Sequence, residues 1–223
     1  MKITYFGHAC FLVEGKGGPR IVLDPFDASI GYPVPSVSAD VVVASHEHFD
    51  HANLAAVDDT SLALVGHAAL GRHEFRGATF EGVATRHYDD PSAAARGENT
   101  MAVIGLDGLR VCHAGDLGHA LDADTASQLG DIDILMVPVG GFYTLPVGKV
   151  DAVVGLLEPR VVVPMHYRTS AVTSGGLLQI ATVDEYLSGK ERVRRKPATI
   201  EVAAADLPEE REIWVMAHTA EEG

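Results

Sequence analysis

Apolar positions along this chain come in short runs rich in valine and isoleucine, each ended by Gly, Pro or Asp. Runs of this kind, too short for helices and heavy in β-branched side chains, read as strands. The pattern predicts them at Ile3–Phe6, Cys10–Glu14, Arg20–Leu23, Val41–Ser45, Leu62–Val65, Thr79–Ala84, Met101–Gly105 and Arg110–Cys112. Further strands are expected at Ile132–Pro138, Val161–Pro164, Ala198–Val202 and Ile213–Met216. Gly15-Lys16-Gly17-Gly18 and Asp107-Gly108 supply turn chemistry between neighbouring runs, so the first 25 residues and residues 98–112 read as antiparallel meanders. Helical spacing is rarer. It is visible at Ala52–Val57, Asp122–Leu129 before Gly130, Val147–Leu157 before Pro159, and Thr182–Ser188 before Gly189. Strands first, mixed strand–helix units next and strands again at the end suit an α/β architecture of two packed sheets with helices outside. No linker or internal repeat divides the chain, so residues 1–223 read as one domain.

Composition narrows the function without naming it. Seventeen Lys and Arg against 31 Asp and Glu give a formal charge of −14, which disfavours a nucleic-acid backbone as the main ligand. The basic stretch at Lys190, Arg192, Arg194 and Arg195 reads as a solvated face or loop. Cys10 and Cys112 lie in apolar runs outside any Cys-x-x-Cys pair and are expected as buried free thiols. The amino-terminal residues enter a strand pattern directly, and no apolar run approaches the ~18 residues of a membrane span. A cytoplasmic protein acting on a small molecule is the expectation, and oligomeric state is not readable.

The chemistry is concentrated after Val41–Ser45, in His46-Glu47-His48-Phe49-Asp50-His51. Imidazole and carboxylate are the ligands preferred by zinc and related first-row ions, and four such groups in six residues suit two adjacent ions better than one. Alternation puts His46 and His48 on one side of the extended chain, with Asp50 and His51 projecting after the turn. Such a loop needs partners. His87, His113, Asp116 and His166 all stand at or just past the ends of predicted strands, where loops on a rigid scaffold can assemble a site.

These residues resemble the His-x-His-x-Asp-His signature of the metallo-β-lactamase superfamily. Asp24, His87, Gly115-Asp116 and His166 follow the same order, across roughly residues 1–170. Phe6-Gly7-His8-Ala9, His113-Ala114-Gly115-Asp116 and Pro164-Met165-His166-Tyr167 bring the chain nearest a small bacterial branch similar to ascorbate-6-phosphate lactonase-like hydrolases. The resemblance implies a four-layer αββα sandwich and two divalent ions, zinc first, with manganese or iron as alternatives. It assigns His46, His48 and His87 to one ion, Asp50, His51 and His166 to the other, and Asp116 to both; His113 competes with His87 for its place. Asp50 and Asp116 are the expected catalytic carboxylates. Asp24 would fix a ligand imidazole from behind, and His8, His113, His119 and Arg168 are candidates for contacts with substrate or ligands. A hydroxide shared by the ions would attack a lactone or other carboxylic ester. A phosphodiester is the second choice of substrate, and a mononuclear-iron, oxygen-using enzyme is the rival chemistry.

Overall fold

The structure, a computed structural model, describes residues 1–172 and 175–221. In chain order the strands are β1 (Lys2–Gly7), β2 (Cys10–Glu14), β3 (Arg20–Leu23), β4 (Val37–Ser38), β5 (Val41–Ala44), β6 (Val57–Asp58) and β7 (Leu62–Val65). They continue as β8 (Gly71–Phe75), β9 (Ala78–Arg86), β10 (Glu98–Leu106), β11 (Leu109–His113), β12 (Ile134–Pro138) and β13 (Val161–Met165). Last come β14 (Val193–Lys196), β15 (Thr199–Glu201) and β16 (Glu212–Met216). Three short α-helices interrupt them: α1 (Ala123–Leu129), α2 (Val150–Leu157) and α3 (Val183–Leu187). Among the described residues no helix is long and apolar enough to cross a membrane.

Two mixed sheets carry the fold. One has the order β15-β1-β2-β3-β5-β7 and the other β14-β16-β13-β12-β11-β10-β9-β8. Alternation sorts the first sheet into two faces. Phe11, Val13, Ile21, Leu23, Val41 and Val43 join the large core that includes the second sheet, and the intervening Cys10, Leu12, Val22 and Val42 join a smaller outer cluster. A one-turn segment, a loop and the small β4–β6 pair cover that outer cluster through Ile30, Tyr32, Val37 and Val57. Helices α1 and α2 pack instead on the second sheet. The helix content is thus low, within the αββα architecture.

Strand direction explains where the chemistry can sit. Strands β3 and β5 are parallel, and β1 runs the same way because β2 is antiparallel to both of its neighbours. In the second sheet β11, β12 and β13 are parallel, while β10 is antiparallel to both β9 and β11. The carboxyl ends of β9, β11 and β13 therefore share one edge, as those of β1, β3 and β5 do in the first sheet. Two backbone hydrogen bonds stitch the edges together, His166 N–H to His8 C=O at 2.7 Å and Thr100 N–H to Ser45 C=O at 2.9 Å.

Every predicted strand forms, with ends displaced by a few residues. The pattern missed β8 and β14, the two outermost strands of the larger sheet, and the two-residue pair β4–β6. Gly71-Arg72-His73-Glu74-Phe75 and Val193-Arg194-Arg195-Lys196 each pair on one side only, and edge charge both hides them from a hydrophobic pattern and guards them against further pairing. The basic stretch is thus partly an edge strand and presents a solvated face, with Arg192, Arg194 and Arg195 exposed. The predicted helix Ala52–Val57 is a one-turn 3-10 segment, Leu54–Ala56, because Val57 leaves it to pair with Val37 in β6. The two cysteines are buried and free.

Phe80 lies opposite Ile104 in the β9–β10 ladder and is fully enclosed. Phe80→Ala should cost about 3–5 kcal/mol in urea unfolding at an unaltered m-value, and a loss below about 1 kcal/mol would contradict this reading of the core.

Candidate metal centre

The loop from His46 to His51 leaves the end of β5 beneath a buried carboxylate. Asp24, directly after β3, adopts a left-handed conformation with φ 43°. Its carboxylate accepts from Ser45 N–H at 2.7 Å, from Ser45 Oγ–H at 2.7 Å and from His51 Nδ1–H at 2.7 Å. Ser45 Oγ, having given its proton to Asp24, accepts from His46 Nδ1–H at 2.9 Å. One carboxylate thereby fixes the tautomer of two imidazoles, and both present Nε2 to the space ahead of the loop. Burial pushes the Asp24 acid up, and nearby His113 and His51 outweigh it, bringing the group down to about 2.

Around that space the predicted residues converge. His8, Asp50, His51 and His166 each offer a ligand atom within 4.8 Å of the others. The same holds for His46, His48 and His87, and for His46, His51 and Asp116. Asp116 joins the groups: its oxygens lie 3.3 Å from His51 Nε2, 3.0 Å from His87 Nε2 and 3.4 Å from His166 Nε2. Asp50 Oδ2 lies 3.3 Å from His8 Nε2.

Backbone contacts hold these groups in place. Gly115 has φ 55°, and a Cβ there would meet Ser45 and Asn99, so only glycine lets the Asp116 turn lie against the first sheet. Asn99 accepts from Asp116 N–H at 2.9 Å and donates to Ala114 C=O at 3.0 Å. Gly118 packs against the backbone of His87 and Tyr88, where a Cβ would come within 2.3 Å. Ser45, Asn99 and Gly118 were missed in the sequence, which gives no signal that separates them from ordinary strand and turn residues.

The other candidates fall into different places. His113 stands beside the centre with both nitrogens committed, Nε2 donating to Ala9 C=O at 2.8 Å and Nδ1 accepting from Gly115 N–H at 3.2 Å. His87, not His113, reaches the group containing His46 and His48. His119 lies outside the groups, bonded to Ala120 C=O and Arg86 N–H. Arg168 is also elsewhere: it donates to Leu178 C=O at 2.9 Å and lines a different surface cavity. The cation beside the centre is Arg96, which sequence reasoning did not single out. His8 enters more deeply than expected, inside one of the ligand groups.

The donor set fits metal ions. Nε2 of His8, His46 and His51 and Oδ1 of Asp116 are buried without a hydrogen bond, a cost that a cation would remove. Burial, reinforced by His51, holds His46 down to about 3, and burial with His166 beside it holds His8 down to about 4, so both are neutral at pH 7. Asp50 and Asp116 stay ionised, since burial is outweighed by His51 and His8 around the first and by His166 and His51 around the second. Burial opposes charge on His51, and Asp116, Asp24 and Asp50 overcome it, raising the imidazole well above its ordinary value.

The centre forms the floor of a cavity of about 420 Å³ whose walls include Ile30, Phe49, Tyr143, Leu177 and Arg96. Phe49 at the rim is 62% exposed.

Comparison with known proteins agrees with this geometry. A family described as the beta-lactamase superfamily domain matches residues 2–166. A UPF0173 metal-dependent hydrolase from Pelotomaculum thermopropionicum is 32% identical, the match covering 76% of this chain and 85% of that protein. A Thermotoga maritima structure described as a Zn-dependent hydrolase of the metallo-β-lactamase superfamily aligns with TM-score 0.76 and 35% identity, over 96% of this chain and 97% of that one. An isothiocyanate hydrolase from Delia radicum gut bacteria shares the fold alone, at 16% identity and TM-score 0.66 over 97% and 96% of the two chains.

Asp24→Asn keeps the shape and removes the charge that orients His51. It should weaken metal affinity about 10- to 100-fold with an unchanged circular dichroism spectrum; wild-type affinity would contradict the role given to Asp24. The sign of its pH effect follows from the lowered pKa. Stability from Asp24 is complete above its ordinary value of 3.8 and is lost as pH falls through about 2. His51, raised and therefore protonated in the metal-free protein at pH 7, must lose its Nε2 proton to a cation. Calorimetry in buffers of different ionisation enthalpy should show about one proton released on metal binding, and none released would count against His51 as a ligand.

Proposed function

This chain belongs to the β-lactamase superfamily, among the UPF0173 metal-dependent hydrolases, and we propose that it hydrolyses a lactone or other carboxylic ester with two divalent ions, zinc first. The observation that carries the reading is the convergence of His46, His48, His87, Asp116, Asp50, His51 and His166 in overlapping ligand groups, with His48, Asp50, His87, Asp116 and His166 on one cavity floor. In this reading His46, His48 and His87 hold one ion, Asp50, His51 and His166 hold the other, and Asp116 reaches both.

Bound there, such a pair supplies an activated water at neutral pH and Lewis acidity toward the attacked carbonyl. The rest belongs to the protein. Asp50, 3.3 Å from His8 Nε2 and kept ionised, would orient the attacking water. Asp24 keeps Nε2 of His51, and through Ser45 that of His46, facing inward throughout. Apolar walls at Ile30, Phe49 and Leu177 exclude bulk water from the ester.

Small molecules suit the site better than polymers. A cavity of about 420 Å³ is of ordinary ligand size. The basic stretch suited to a phosphate backbone is already neutralised, with Lys190 on Asp151, Arg192 on Glu210, Arg194 on Glu212 and Arg195 on Asp184. Phosphodiesters are therefore the second choice.

Asp116→Ala should reduce ester hydrolysis by at least about a thousandfold and lower the metal content, measured on matched metal-loaded samples. Full activity in that variant would sink the assignment. A panel of lactones, carboxylic esters, thioesters and phosphodiesters ranks the substrates; exclusive cleavage of phosphodiesters would replace the ester reading.

A further inference from the structure

Arg96 is a cation in the wall of the cavity above the centre. It closes the short 3-10 segment Pro91–Arg96 between β9 and β10, and the carbonyl of its neighbour Gly97 accepts from His87 N–H at 3.2 Å. That bond ties the arginine's backbone to the strand end carrying His87. The guanidinium is steered by Tyr143: Nη1 donates to the Tyr143 carbonyl at 2.9 Å, and Cζ lies 5.6 Å from the centre of the Tyr143 ring. Among the described residues the N-terminal amine and ten Lys or Arg side chains pair with carboxylates, as Arg72 does with Glu74 and Glu81. Arg96 is not among them, nor are Lys16, Arg86, Arg160, Arg168, Lys196 and Arg211, but of these seven only Arg96 lines the cavity over the centre. A half-buried guanidinium thus stands beside the centre without a direct ion pair, in the wall of a cavity that Glu47 and Glu98 also line.

Its position is equally specific. Two cavities open on either side of the His46–His48–His87 group, one walled by Ile30, Phe49 and Leu177 and the other by Glu47, His67 and Glu98. Among the described residues only His48 and Arg96 line both. A group bound to Arg96 is thus held next to the ligands and at the boundary of the apolar cavity. A guanidinium offers parallel N–H donors that match carboxylate or phosphate oxygens, and one of its nitrogens is already fixed by Tyr143.

We propose that Arg96 is the specificity residue that anchors an anionic oxygen group of the substrate, so that this protein acts on esters or lactones bearing a carboxylate or phosphate near the scissile carbonyl. The proposal rests on the hydrolytic reading above and deepens it. The apolar remainder of the substrate lies against Ile30, Phe49 and Leu177, and the anion lies on Arg96 with its register to the carbonyl set by the strand end that carries His87. The sequence-based candidate for this role, Arg168, faces another cavity.

The test uses zinc-loaded wild type and Arg96→Gln with three probes: phenyl hemisuccinate, its methyl-capped neutral ester, and the phenyl ester of phosphonopropionate. Phenol release should give wild type a kcat/KM for one of the charged esters about 10- to 100-fold above that for the capped ester. In R96Q that ratio should collapse toward one through KM, with metal content unchanged. The preferred charged probe tells carboxylate from phosphate-like anions. A second readout needs no turnover: calorimetric binding of a non-hydrolysable ketone analogue of the hemisuccinate, expected to weaken by the same factor in R96Q. Arg96-dependent binding without hydrolysis of any ester would overturn the proposed function and leave the anchor standing. Hydrolysis with an unaltered charged-to-capped ratio in R96Q, or analogue binding indifferent to the substitution, would overturn the anchor and leave the hydrolase reading intact.

Discussion

The centre depends on a carboxylate that touches none of the cavity. Asp24 is buried, and an ionised group there persists because His113 and His51 lie beside it, while Ser45 N–H, Ser45 Oγ–H and His51 Nδ1–H all point at it. Those three bonds do more than satisfy it. They pin Ser45, just before the ligand loop, and His51, its last residue, to one point at the end of β3. They also leave Nε2 of His46 and His51 unprotonated on Nδ1-protonated rings, or ready to become so, facing the same space. Without that anchor, a loop with three imidazoles and a carboxylate would be a solvated turn with many conformations to lose on binding a cation.

Around this anchor, strand direction does the assembling. The carboxyl ends of β5, β9, β11 and β13 come together because the two sheets pack with matching edges. Each ligand then needs only a short turn from a rigid strand. The tight turns fall where backbone meets backbone: Gly115 against Ser45 and Asn99, Gly118 against His87. Rigid placement of this kind is what a catalytic constellation requires, since small displacements of ligands cost metal affinity and rate alike. The less regular Pro91–Arg96 segment sits at the cavity wall, where substrate differences between related enzymes can be accommodated without moving the ligands.

Much of this was legible in the residues. Hydrophobic alternation revealed the strands because most are buried on at least one face, and three histidines with one aspartate in six residues have few other uses. The missing pieces share a physical character. Strands β8 and β14 pair on one side only and carry charge, so their pattern resembles a loop. Ser45 and Asn99 act through single hydrogen bonds to groups distant in sequence, which no local pattern records. Arg168 drew attention because it follows His166 closely, yet the turn after β13 carries it to another face; Arg96 reaches the centre from a loop of alanines with no motif. The choice between His87 and His113 also needed three dimensions, because only there do the backbone partners of His113 become visible.

The account stands or falls on two ions held by one continuous set of side chains. Metal quantification on purified protein reconstituted with zinc and freed of loosely bound ions tests it most directly. About two ions per chain in the wild type would support it. One ion per chain at saturation, or a single iron with visible absorption and oxygen consumption in place of hydrolysis, would contradict it.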